Sequence, residues 1–137
     1  MADEHELVVE TQIPINFTKS TSEAVEQGAA LRMTDNMTAT IATGDGDIPA
    51  GVVHTEVTVA EASASVSIYR GGIFRATAGV AGVTFGEGIQ LDASASPANR
   101  LVDLDVNSEQ IWGTCLQTAA SGNRFLYELN PRAVDLS

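Results

Sequence analysis

Nowhere in the chain do apolar residues keep the i, i+3, i+4 spacing of an amphipathic helix for more than about ten residues. Short runs of alternating or β-branched residues take its place: Ala30–Thr34, Thr38–Ala42, Gly51–Val53, Glu56–Val59, Ser65–Arg70, Ile73–Ala76, Ile89–Asp92, Gln110–Thr118 and Arg124–Leu129. Turn formers separate them at Asp35-Asn36, residues 44–47, Gly71-Gly72, Gly86–Gly88, residues 94–99 and Ser121–Asn123. Short strands at this spacing predict an all-β chain, a small β-barrel or sandwich. One helical turn is expected at Ser22–Gly28, closed by its glycine.

Two segments give this body its outline. In Ser65–Arg70, Val66 and Ile68 point one way while Ser65, Ser67 and Tyr69 point the other, the period of a half-buried strand. Gly71-Gly72 permits a tight turn and Ile73–Ala76 returns, so the whole reads as a β-hairpin. The run Leu7–Phe17 differs in character. It carries Pro14, which cannot donate to a sheet ladder, and lies between an acidic start and a Ser/Thr-rich continuation. Residues 1–25 are therefore expected to form an extended, loosely held arm, ahead of a single β-rich domain at 26–137. The arm's alternate side chains Leu7, Val9, Ile13, Ile15 and Phe17 would pack against another chain. The expected core holds Leu31, Val53, Val66, Ile68, Phe74, Leu116, Leu126 and Leu129.

With 137 residues the chain has the length of one ordinary domain. It is 44% hydrophobic but only 5% aromatic, so its core is built mostly from Ala and Val and suits a thin barrel better than a deep ligand pocket. Charge is one-sided: 18 acidic residues against 7 Lys and Arg, a net of −11. Such a chain is repelled by phosphate backbones and anionic membranes, and its cations form no basic stripe, which argues against nucleic-acid binding. No run approaches the ~20 apolar residues of a membrane helix, and the acidic N-terminus is unlike a signal peptide, so synthesis in a cytoplasm is expected.

Chemistry-bearing motifs are scarce. Cys115 is the single cysteine, which excludes an intrachain disulfide; its setting reads as a strand interior. His5 falls in the expected arm and His54 at a strand end, without a nucleophile or ligand at useful spacing. Asp45-Gly-Asp47 and Asp103–Glu109 place carboxylates at alternate positions, but the second run has Ser108 where a calcium loop needs glycine and Thr114 where it needs a bidentate glutamate. No catalytic residue, cofactor site or metal site is assigned.

Ala29–Thr34, Ile48–Val53 and Val66–Ala76 together resemble the lambda-type head decoration proteins, in which an aromatic-basic strand enters a tight turn and leaves as a hydrophobic-Phe-Arg strand. The residues that carry this likeness are Tyr69, Arg70, Gly71, Gly72, Phe74 and Arg75. Gly86–Leu91, Ile111–Gly122 and Phe125–Leu129 are similar to the wider group of phage capsid cement proteins. The chain departs from the lambda-type pattern by continuing about 60 residues past the turn. The resemblance implies a β-tulip-like body, homotrimers at capsid three-fold positions, and a non-enzymatic role: binding the major capsid protein on the outer surface of the virion head and cementing it. A second reading is another virion structural part, such as a tail tube, fibre or head-completion module. A third is a calcium- or carbohydrate-binding β-module.

Overall fold

The structure is a computed structural model that describes residues 3–19, 24–43, 47–57, 65–92, 99–104 and 110–133. Eleven strands make up its regular structure: β1 Glu6–Val9, β2 Ile15–Lys19, β3 Ala30–Asp35, β4 Thr38–Ile41, β5 Pro49–Val53, β6 Ser65–Tyr69, β7 Gly72–Thr77, β8 Gly88–Leu91, β9 Leu101–Asp103, β10 Gln110–Cys115 and β11 Arg124–Ala133. The fold is all-β, with no helix among the described residues.

The strands form two bodies. Five close a barrel in the order β2-β4-β3-β5-β6, with β6 pairing back onto β2. The other six make an antiparallel sheet in the order β1-β7-β11-β10-β8-β9. Each body has its own core. Phe17, Val25, Leu31, Val53, Val66 and Ile68 fill the barrel. Phe74, Ile89, Leu101, Trp112, Phe125, Tyr127 and Leu129 pack on the sheet. Alternation on three barrel strands joins the two cores. Ala30, Val52 and Tyr69 point out of the barrel into the sheet's core, while Leu31, Val53 and Ile68 beside them point inward. A strand buried on both faces reads as a continuous apolar run, and β5 is buried at all five positions.

The expected hairpin does not form. β6 is a barrel strand paired with β2 and β5, whereas β7 belongs to the sheet, between β1 and β11. The expected arm is its counterpart. Glu6–Val9 takes the edge beside β7, and Ile15–Lys19 takes the place beside β6. The N-terminal run thus occupies the ladder positions that a β6–β7 hairpin would have used for itself. Pro14 sits in the connection between β1 and β2, where its missing N–H interrupts neither ladder. Gly71-Gly72 is a crossover between the two bodies, and Gly72 has φ +127°, a region open to glycine and costly for other residues.

Other expectations need adjustment. Leu116 is exposed because β10 ends at Cys115, and Leu126 lies only half-buried because Phe125, Tyr127 and Leu129 claim the inward face of β11. The rest of the expected core is buried. The helical turn at Ser22–Gly28 falls partly outside the described residues. Within them Val25 makes an isolated bridge with Val57, and Glu26–Ala29 is a tight turn. Residues 58–59 of the fourth expected strand, 44–46, 94–98 and 105–109 also lie outside. The three-residue β9 has no counterpart in the sequence reading.

Candidate functional site

The N-terminal segment delivers a histidine to the centre of the molecule. His5 stands just before β1; its backbone N–H donates to the Gly28 carbonyl at 2.8 Å, and the residue is only 5% exposed. Its Nε2 lies 2.7 Å from the Asn99 carbonyl oxygen and its Nδ1 2.5 Å from the Tyr127 hydroxyl. A carbonyl can only accept, so Nε2 carries the proton and Nδ1 takes the proton of Tyr127. Trp112 Nε1–H donates to the same hydroxyl at 2.9 Å, and the Asn99 side-chain oxygen accepts from the Ala30 N–H at 3.0 Å. The relay therefore ties the N-terminus, β10 and β11 of the sheet, and β3 of the barrel. Every member has a buried partner, the condition under which buried polar groups stabilise rather than cost.

Burial lowers the His5 pKa to about 4; the Asn99 hydrogen bond and Asp3 act in the opposite sense, and Arg124 adds to the fall. Burial likewise pushes the Tyr127 phenol up, with the Trp112 hydrogen bond opposing. Both His5 nitrogens are engaged, so the imidazole acts as a structural link. Aromatic contacts extend the link. His5 meets Trp112 and Tyr127 edge-on, Tyr127 stacks on Phe74, and Phe74 meets Tyr69 of the barrel at 5.6 Å between centroids. A cavity of about 450 Å³ opens beside this junction, bordered by Glu4, His5, Leu7, Tyr69, Phe74 and Arg124.

The residues expected to act as an arm separate into two sets. Phe17 is buried in the barrel and Leu7 packs on the sheet core, whereas Val9, Ile13 and Ile15 are exposed, Ile13 at 79%. Val8 joins the exposed set because a bulge between Leu7 and Val9 turns it outward. Of the residues carrying the family likeness, Tyr69 and Phe74 are buried in the junction. Arg70 Nη1 donates to the Pro49 and Ala50 carbonyls, at 3.3 and 2.8 Å. Arg75 pairs with Glu6.

The cations are sorted by this architecture. Arg75 and Arg124 meet Glu6, Arg100 meets Asp3, and Lys19 is buried in the barrel wall. Among the described residues no carboxylate pairs with Arg32, Arg70 or Arg132. Of the carboxylates in the two runs with alternate spacing, Asp47 accepts from Thr43 in a local turn and Asp103 accepts from Thr84, while Asp45, Asp105 and Glu109 lie outside the described residues. Among the described residues no three metal-ligating side chains converge. Cys115 is buried, which raises its thiol pKa.

The sequence reading placed His5 in a mobile arm and singled out neither Trp112, Tyr127 nor Asn99. No local signal marks this set, since His5 and Tyr127 are 122 residues apart.

No family model matches the chain, and no curated protein matches it in sequence. A solved structure does match in fold: the head fiber gp8.5 N base of bacteriophage phi29, with a TM-score of 0.56 at 15% identity, over 90% of this chain and 99% of that one. At this identity the likeness establishes a shared fold.

Proposed function

We propose that the protein is a non-enzymatic structural component of a tailed-phage virion that binds the major capsid protein on the outer surface of the head and stabilises it, as trimers at three-fold positions. The observation that carries this reading is the fold held in common, across nearly the whole length of both chains, with the base of a phage head fiber. Two features agree with it. The buried His5 and Asn99 are spent on tying the barrel to the sheet, and the surface leaves apolar side chains outside, at Val8, Val9, Ile13 and Ile15 and again at Val80 and Phe85. Exposed apolar clusters rimmed by charge mark contacts with other proteins. The exposed part of the N-terminal run is thus available to a neighbouring virion chain, but as a fixed surface of a paired segment. A protein that binds the assembled lattice better than loose subunits stabilises the lattice by mass action, and several attachment points strengthen weak ones.

The test is to mix the purified protein with heads that lack it and sediment them through a gradient. Co-sedimentation that saturates, together with DNA retained to a higher temperature, is expected. Heads that neither take up the protein nor gain resistance would refute a decorating role and leave the fibre or tail readings.

A further inference from the structure

Two of the arginines that meet no carboxylate among the described residues share one groove. Arg70 and Arg132 line a cleft of about 270 Å³ together with Met33, Ile48, Pro49 and Pro131. In a chain with 18 acidic residues, two guanidiniums that meet no carboxylate among the described residues, on one mostly apolar groove, suit an anionic partner. Arg70 is held in place through Nη1 by the Pro49 and Ala50 carbonyls, which leaves the N–H groups of Nε and Nη2 to donate. Burial lowers its pKa, and among the described residues no carboxylate pairs with it. Arg132 uses Nη1 on the Asn130 carbonyl and is otherwise exposed.

A surface of the opposite kind lies next to the groove. Val8, Val9 and Ile13 are exposed on and just after the edge strand β1, with the exposed Glu10 among them. The two surfaces flank the same crossover: the Gln12 side chain abuts Gly71, which adjoins Arg70. An edge strand carrying exposed apolar residues invites pairing with another chain.

We infer that the groove of one copy receives the Val8–Ile13 segment of a second copy, with Glu10 set between Arg70 and Arg132 and the apolar side chains against Met33, Ile48 and Pro131. One contact then answers both needs, covering the apolar strip and supplying the missing carboxylate. Since donor and acceptor surfaces differ, the contact is heterologous, and a heterologous contact whose rotation closes after three copies builds the trimer of the proposed function. The inference rests on the reading of the protein as a trimer and names the surfaces that would build it.

Sedimentation velocity on the full chain tests it with Arg132→Glu, Glu10→Arg and the double variant that exchanges the charges. Both positions are exposed, so near-UV circular dichroism should match the wild type. The wild type is expected to sediment as a trimer, each single variant to weaken association by at least about tenfold, and the exchange to restore it. Single variants that remain trimers would overturn the docking surface and leave the trimer standing. A wild type that sediments only as a monomer would overturn both, while attachment to heads is judged by its own assay.

Discussion

Acid should loosen the junction between barrel and sheet through one residue. His5 is neutral when folded, with a pKa of about 4 against an ordinary 6.5. The unfolded chain therefore takes up a proton that the folded chain refuses. The stability from a neutral His5 is complete above pH 6.5 and drains away as pH falls toward 4. Each pH unit of that window is worth about 1.4 kcal/mol per proton, so the full loss is on the order of 3 kcal/mol. Protonation also places a second N–H on Nδ1, facing a hydroxyl that already accepts from Trp112. Arg124 disfavours the cation and Asp3 favours it, and both effects are contained in the lowered value. Carboxylates titrate in the same range, and easing the −11 charge partly offsets the loss, so the measurement must be a difference. Urea unfolding midpoints of wild type and His5→Gln, taken from pH 7.5 to 4.5, supply it. Glutamine can donate and accept but does not titrate. The wild type should lose more stability than the variant between pH 6.5 and 4.5. Parallel pH profiles would refute a buried neutral His5.

Three further outcomes follow from the same geometry. Tyr127→Phe leaves Trp112 Nε1–H and His5 Nδ1 without their partner and should cost roughly 2–4 kcal/mol in chemical denaturation. At the crossover, Gly72→Val should destabilise strongly because of its φ, while Gly71→Ala displaces only the end of the exposed Gln12 side chain and should shift the melting temperature little; Gly113→Ala, whose new methyl would press on the Glu128 carbonyl of β11, should resemble Gly72→Val. Removing residues 1–17 strips β1 and most of β2, opening the barrel and losing His5, so the truncated chain should fail to give a cooperative melt.

Strand content was legible because it depends on local pattern. Runs such as Ile73–Ala76 and Arg124–Leu129 alternate whatever they pair with, and period-two parity put Val66 and Ile68 on one face and Tyr69 on the other. The same parity would have warned that Leu126 and Leu129, an odd number of residues apart, cannot both point inward from one regular strand. Which strands pair was not legible. Gly71-Gly72 allows a hairpin, and only competition for the same ladder positions, won by β1 and β2, turned it into a crossover.

By itself the sequence determined an all-β chain with short strands, a net charge of −11, and a core poor in large side chains. Tertiary structure decided the rest. A proline-bearing run became part of two sheets because Pro14 could sit between them, and a histidine expected in a loosely held arm became the buried link of the junction because Asn99 and Tyr127 met its two nitrogens. Long-range pairing sets both outcomes, and neither the ladder partner of a strand nor the hydrogen-bond partner of a side chain is written in its neighbouring residues.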